Sequence, residues 1–323
     1  MMKYKVSAVL GPSPFQADNV MARRINFYAT GEFDRAGIRR EDVAWIRARL
    51  ADPSSRLYPV WRTRNYVSDP ETPRALALDV AAHGALVRAA STVVLLGFED
   101  EIAHFLVDVS HLDEATAAAL GGHVVDLRTV GVLMPQREGA MLAYARGLAY
   151  WHQRHRFCGV CGAPTEPKAA GHQRQCTNPD CGTVQFPRTD PAVIMRITHG
   201  DKILMARQAV WAPGMHSVLA GFVEPGESLE DAVAREVFEE VGLRLTRIRY
   251  FSSQPWPFPA SLMVGFSAEA RDENFTVDNN ELESARWMTR TELLDSPEDS
   301  TFKLPRKDSI SRQLIEDWLR LRF

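Results

Sequence analysis

Residues 221–243 read GFVEPGESLEDAVAREVFEEVGL. A glycine loop comes first, then Glu227, then Arg235 followed by Glu236, Glu239 and Glu240, and a close on Gly242-Leu243. Ser228 is a good N-cap, and Glu230 and Asp231 fall in the first turn, where the helix dipole favours negative charge. Ala232, Val233, Val237 and Val241 recur at helical spacing, so one stripe can face a core. Gly242 supplies the stop. Glu236, Glu239 and Glu240 are three and four apart, which puts their carboxylates on one side of the helix. Like charges held that close repel unless something neutralises them. A hard divalent cation does this, and Mg²⁺ is usually held by a few carboxylates plus substrate phosphates. Such a site suits cleavage of a phosphoanhydride, because metals withdraw charge from phosphoryl oxygens and lower the pKa of an attacking water. The competing reading is a solvated acidic helix face.

The surroundings decide between them. Gly221, five residues, Glu227, seven residues, then Arg-Glu-hydrophobic-x-Glu-Glu-x-Gly-hydrophobic resembles the Nudix box at every defining position. The resemblance implies a metal-dependent hydrolase of diphosphate-linked substrates on an α/β/α sandwich.

The 323-residue chain has room for two domains or a little more. Its 45% apolar and 24% charged residues are ordinary for a globular protein. A net charge of −3 gives no bulk attraction to nucleic acid or anionic membrane. No apolar run is long enough to span a membrane. The opening MMKYKVSAVLGPSPF shows no convincing signal-peptide core, so the expected location is cytoplasmic. No internal repeat is visible.

Residues 1–40 read as a loose lead-in broken at Gly11-Pro12-Ser13-Pro14. A short helix is expected over 39–50. The runs LYPVW, ALALDV, TVVLLGF and AHFLVDV suggest strands, and residues 111–120 a helix. This half reads as an α+β domain over 1–150 without a catalytic motif. His83, His104, His111 and His123 are scattered and carry no pattern. Residues 135–156 form a long helix whose end, YARGLAYWHQRHR, reads as a solvated face, the other option being a phosphate contact.

All four cysteines fall within one short stretch: Cys158 and Cys161, then Cys176 and Cys181. Two close pairs across a spacer suit a tetrahedral Zn²⁺ with four thiolates and no open position. Such a zinc stabilises and does not catalyse. Disulfides are the alternative, but nothing indicates secretion. The expected ribbon covers 151–187, and the Nudix domain 188–323. Strands are expected at DPAVIMRITHG, KILMARQ, 217–220, 245–251, 262–270 and 285–288, with a terminal helix over 307–321.

Beyond the box, Ser253-Gln254-Pro255-Trp256-Pro257-Phe258-Pro259-Ala260-Ser261 holds prolines at alternate positions, which keep the backbone extended and present two aromatic rings. Taken alone, such a segment is a surface loop or interaction ligand. In its place after a Cys₄ ribbon and a Nudix box, SQPWPFPxS resembles the signature of the NADH pyrophosphatase subfamily. That resemblance implies hydrolysis of NADH or NAD⁺ to nicotinamide mononucleotide and AMP, with removal of NAD caps from RNA 5′ ends by the same bond cleavage. It implies Mg²⁺ or Mn²⁺ on Glu236, Glu239, Glu240, Glu281 and the Ala220 carbonyl, with Glu239 or Glu240 as base and Arg235 orienting them. Substrate contacts would come from Phe186, Phe222, Gln254, Pro255, Trp256, Pro257, Phe258, Pro259, Ala260, Ser261 and Ser311. A homodimer with no membrane association is implied as well. The rival class is a Nudix fold that binds nucleotide or RNA without cleaving it; such a protein is expected to have lost box acids, and here all are present.

Overall fold

The computed structural model describes residues 24–31 and 33–321, so the breaker at 11–14 and the opening segment lie outside the described residues. Helix α1 (Val43–Ala51) is capped by Asp42, whose carboxylate accepts from the Trp45 backbone N–H. The first sheet is built from β1 (Arg56–Trp61), β2 (Arg64–Val67), β3 (Leu78–Asp79), β4 (Thr92–Glu99), β5 (Ile102–Asp108) and β6 (His123–Val125). Its order is β4-β5-β1-β2-β6, with β3 also pairing β1. Helices α2 (Val80–Ala89) and α3 (Glu114–Ala118) connect these strands, and α4 (Leu127–Val130) follows β6. The expected strand ALALDV is cut short. Asp79 accepts from the Ala82 backbone N–H and caps α2, which ends the strand before Val80, and of the residues ahead of Leu78 only Ala75 makes a bridge, to Val67.

Helix α5 (Gln136–Arg154) follows. Its end is not the solvated face that its charges suggest: Ala145, Leu148, Ala149, Trp151 and His152 are buried. The Arg146 guanidinium donates to the Pro257 carbonyl and lies over the Phe258 ring, 4.8 Å from its centroid. Strands β7 (Thr165–Lys168), β8 (Gln173–Cys176) and β9 (Val184–Gln185) form the ribbon. It is fastened to the first domain from both sides. His172 Nε2 donates to the Leu95 carbonyl at 2.7 Å, and His152 Nε2 donates to the Gly171 carbonyl at 2.8 Å. His152 Nδ1 then accepts from Arg174, which fixes a neutral tautomer; burial pushes this imidazole down to about 4.

The second large sheet contains β10 (Asp190–His199), β11 (Lys202–Arg207), β12 (Leu219–Phe222), β13 (Leu245–Trp256), β14 (Ser261–Ala270) and β15 (Ser284–Thr289). Along β10, Val193, Met195 and Ile197 face the core under helix α6 (Leu229–Val241), which contributes Ala232, Val233, Val237 and Val241. Ile194 faces the opposite core, with Leu314, Ile315 and Trp318 of α8 (Ile310–Arg320); the short α7 (Arg290–Leu294) adds Leu293 there. Alternation along one strand thus feeds two cores, and helices cover both faces, giving the expected α/β/α sandwich.

The two large sheets share one topology. β10 pairs antiparallel with β11 and β12 and parallel with β14, while β13 pairs with β14 and β15 with β11. β1 makes the same antiparallel pairs with β2 and β3 and the same parallel pair with β5, and β4 and β6 complete it equivalently. Helix α2 follows β3 as α6 follows β12. An internal repeat is therefore present although none is visible in the sequence. Only the apolar pattern is needed to keep the packing, and α2, reading VAAHGALVRA, holds none of the box carboxylates.

Candidate active site

Helix α6 is organised as its sequence dictates. Ser228 accepts from the Asp231 N–H and the Asp231 carboxylate accepts from the Ser228 N–H, closing a capping box, and Gly242 ends the helix at φ 69°. Arg235 is the hub of the box. It grips Glu227 bidentately, with Nε to Oε1 at 2.6 Å and Nη2 to Oε2 at 2.9 Å. Its Nη1 donates to Glu236 at 3.0 Å and to Glu239 at 2.9 Å, and Nη2 also reaches the Phe222 carbonyl on β12. Bonds from Arg235 hold the Glu227 carboxylate down to about 2. One guanidinium therefore ties the glycine loop to the acidic helix face.

Glu240 is different. It is buried, and its Oε2 has no hydrogen-bond partner among the described residues. Burial, then the charges of Glu236, Glu281 and Glu239, push its carboxyl up to about 8. Burial also raises Glu236, against the pull of Arg235. An orphaned, desolvated carboxylate facing three others is the donor set a divalent cation satisfies. Glu281 sits in the turn before β15 and is exposed. Glu236, Glu239, Glu240 and Glu281 thus feel one another, but their oxygens are not drawn as close together as the ribbon's sulfurs.

A cavity of about 350 Å³ opens beside Glu240, lined also by Ala220, Trp256, Ser217 and Ser311. Ser217 and Ser311 hydroxyls bond one another at 2.6 Å. Alternation along the β13–β14 pair splits the SQPWPFPxS residues between two sides. Gln254 and its partner Met263 line this cavity, whereas Pro255 and its partner Leu262 line a second one with Phe186, Pro257, Ala260 and Ser261. Trp256 borders both. Phe258 turns away from solvent to pack with Trp256 and Tyr28, at 5.1 and 5.5 Å between centroids. Pro259 and Phe222 are exposed. Gln254 does not offer its amide to a ligand: Nε2 donates to the Phe27 and Asp308 carbonyls and Oε1 accepts from the Ile310 N–H. Its side chain instead seams the two domains.

The four cysteine sulfurs lie within 4.8 Å of one another. Cys161 and Cys176 sulfurs are 3.4 Å apart and those of Cys158 and Cys181 3.8 Å. Tetrahedral Zn–S bonds of about 2.3 Å require sulfurs about 3.8 Å apart. The cage fits structural zinc.

Three family models match. Residues 188–313 match the NUDIX domain, 153–186 the NADH pyrophosphatase zinc ribbon domain, and 54–151 the NADH pyrophosphatase-like rudimentary NUDIX domain. The chain belongs to the Nudix family. The ribbon and rudimentary-domain matches place this Nudix chain in the NADH pyrophosphatase subfamily, and the third match corresponds to the repeated topology of the first sheet. Similar proteins include the NAD-capped RNA hydrolase NUDT12 of Homo sapiens, 42% identical over 199 residues, or 58% of this chain and 43% of that one. The NAD-capped RNA hydrolase NudC of Mycobacterium bovis (strain BCG / Pasteur 1173P2) is 46% identical over 204 residues, 60% of this chain and 64% of that one. The match thus spans about half to two thirds of these relatives. A Nudix hydrolase crystal structure from Nitrosomonas europaea aligns at TM-score 0.42 and 21% identity, over 51% of this chain and 90% of that one.

This Nudix chain carries cavity residues that sequence reasoning missed. Arg128, on α4 of the rudimentary domain, and Arg306, ahead of α8, both line the Glu240 cavity. Arg306 is held bidentately by the buried Asp308 at 3.0 and 2.9 Å, and Asp308 also accepts from the Tyr28 hydroxyl at 2.9 Å. The described part of the supposed lead-in, around residues 24–31, is thus a latch, since Asn26 likewise donates to Ser252 and Ser253. No local pattern marks this arrangement, because Tyr28 and Asn26 find their partners more than two hundred positions away. Among the described residues, no helix is long and apolar enough to cross a membrane.

Proposed function

We propose that this chain hydrolyses the central pyrophosphate of NADH or NAD⁺ to nicotinamide mononucleotide and AMP, and removes NAD caps from RNA 5′ ends by the same reaction. The observation that carries the reading is the buried, unpartnered Glu240 carboxyl crowded by Glu236, Glu239 and Glu281 at the mouth of a cavity. The naming of the curated relatives as NAD-capped RNA hydrolases supports the substrate.

Glu236, Glu239, Glu240 and Glu281, with the Ala220 carbonyl, would hold Mg²⁺ or Mn²⁺, which neutralises the cluster and withdraws charge from a diphosphate. Arg235 keeps Glu236 and Glu239 aimed along one face. Glu239 or Glu240, as the carboxylate, would take a proton from water as a phosphorus–oxygen bond forms. Breaking the P–O–P bridge then leaves one phosphate on each nucleotide. Arg128 offers positive charge in the cavity for the substrate's anionic groups, and Arg306, paired with Asp308, lines the same cavity. Ser311 and Trp256 would border the bound dinucleotide. Exposed Phe186 and Phe222 rings, at 60% and 61%, suit a homodimer in which aromatic residues are covered on assembly. A cytoplasmic setting would supply both the dinucleotide and capped RNA.

Side-by-side turnover of NADH, NAD⁺, ADP-ribose and NAD-capped RNA, with Mg²⁺ and with Mn²⁺, tests the proposal. Cleavage of the NAD-containing substrates with release of nicotinamide mononucleotide is expected. Binding of all four without hydrolysis under either metal would defeat it.

A further inference from the structure

Two stretches of chain frame the Glu240 cavity without belonging to the box. The loop over 208–216 puts Gln208, Trp211 and Met215 on its wall, and the turn over 278–283 carries Glu281 and puts Leu282 there. The turn is tied to the acidic helix where it starts. The Asp278 N–H donates to the Glu240 carbonyl at 2.9 Å, and the Asp278 carbonyl accepts from the Glu281 and Leu282 N–H groups at 3.2 and 3.0 Å. Glu281 is exposed, so its aim is set by the turn that carries it.

Where the turn ends, Arg207 of β11 takes hold of it. The Glu283 N–H donates to the Arg207 carbonyl at 2.8 Å, and the Arg207 Nε lies 2.9 Å from the Glu283 carboxylate. The rest of the same guanidinium faces the loop. Nη1 donates to the Ala212 carbonyl at 2.7 Å and to the Met215 carbonyl at 3.3 Å, and Nη2 donates to the Trp211 carbonyl at 3.1 Å. The Arg207 side chain is only 13% exposed, so these bonds are made largely out of water, where they are stronger. A planar group with donors in a fixed fork can serve the carboxylate and the loop together; an ammonium on a flexible stem cannot.

We propose that Arg207 is a positioning residue for the hydrolysis, joining the turn that aims Glu281 to the loop that sets Trp211 against the cavity; this rests on Glu236, Glu239, Glu240 and Glu281 being the metal-holding set. Arg207 itself touches neither metal nor substrate. Its Glu283 arm fixes a metal ligand, and its three carbonyl bonds fix the half-buried Trp211 indole as a flat wall on which a ring of the substrate can lie.

Calorimetric titration of the whole chain with Mn²⁺, without substrate, reads the turn, and KM for NADH at saturating Mn²⁺ reads the loop. The Mn²⁺ binding that counts is the part that Glu240→Gln weakens, and it is measured whether or not NADH is cleaved. Glu283→Gln, at an exposed side chain, frees the turn and leaves the carbonyl bonds. It should weaken Mn²⁺ binding about tenfold, the scale on which groups that orient metal ligands act, with KM near the parent value once metal is saturating. Arg207→Lys cuts both attachments and should add a rise in KM that excess metal does not cure. Trp211→Ala should give that rise alone, with Mn²⁺ affinity near the parent's. Adding Glu283→Gln to Arg207→Lys should weaken Mn²⁺ binding no further, because the pair acts as one unit. Glu269→Gln breaks an exposed ion pair to Arg247 on the same sheet and should change neither measurement. Unchanged Mn²⁺ affinity in Glu283→Gln overturns the proposal, and so does a parent-like KM in Arg207→Lys. Should Arg207→Lys lower the melting temperature, Glu283→Gln and Trp211→Ala decide the matter, and a parent-like result in either overturns it. A parent chain that binds no Mn²⁺ would defeat the metal-holding set, and this inference with it.

Discussion

The carboxyl carbon of Glu236 lies 1.8 Å from the point a β-carbon on Gly221 would occupy, and its two oxygens lie 2.0 and 2.1 Å from it. The requirement for glycine at the first position of the box is therefore steric, since the acid of the helix sits in the space a side chain would need. Gly221→Ala would push the Glu236 carboxylate out of register with Glu240. That side chain is flexible enough to move without unfolding the helix. The expected result is a melting temperature near that of the parent and turnover lowered about a hundredfold or more, the scale on which misplacement by an ångström acts. Near-normal turnover of NADH by Gly221→Ala would remove Glu236 from the metal-holding set.

Glu240 makes a prediction about pH. Its carboxyl lies near 4.5 as the unperturbed value and is pushed to about 8 in the folded chain by burial and by Glu236, Glu281 and Glu239. Between those values the unfolded chain has released a proton that the folded chain keeps, so stability without metal falls as pH rises from about 4.5 to 8 and levels above it. Each unit is worth about 1.4 kcal/mol. Added Mg²⁺ or Mn²⁺ favours the carboxylate and should flatten the decline. Glu240→Gln should flatten it too, while lowering turnover by orders of magnitude. Melting curves across this range, with chelator and with metal, check both; a slope identical in parent and Glu240→Gln would show that Glu240 is not its source.

The Nudix half is legible in the sequence because its signals are local. Ser228, Arg235, the valine stripe and Gly242 fall where a helix needs them, and the four cysteines are confined to one ribbon. The strands of the second sheet were also readable from apolar runs, although β13 extends through Gln254-Pro255-Trp256, where prolines suggested a loop. What was not legible is long-range. A helix end rich in arginine and aromatics suggests a solvated face, yet Ala145, Leu148 and Ala149 bury one side of it while Arg146 caps the Phe258 ring. Gln254 looked free to meet a ligand because its acceptors, Phe27 and Asp308, are far off in sequence. The repeat was hidden because strand pairing constrains polarity and not residue identity.

Zinc should be needed for the fold and not for the chemistry. The sulfurs of Cys158, Cys161, Cys176 and Cys181 are caged together, and the ribbon is bonded to the first domain through His172 and His152. Removing the metal leaves thiolates that repel and loosens both attachments, so the melting temperature should drop on verified zinc removal. Cys176→Ser, at a buried position, should do the same. An unchanged melting temperature in zinc-free protein would contradict a structural ribbon.

Tyr28→Phe addresses the latch between the domains. The Tyr28 hydroxyl donates to Asp308, the carboxylate that holds Arg306 at the rim of the catalytic cavity. Phenylalanine keeps the ring packing against Trp256 and Phe258 and deletes only that donor. A hydrogen bond to a charged acceptor contributes about 1.5–3 kcal/mol, so a measurable fall in stability is expected. If Arg306 positions the substrate's anionic group, KM for NADH should rise more than kcat falls, because the carboxylates on α6 are untouched. Replacing Asp308 by Asn should shift the same ratio further, since it also removes the charge that Arg306 is paired with. A loss confined to kcat in Tyr28→Phe would place the latch's influence on the glutamate cluster and not on substrate binding.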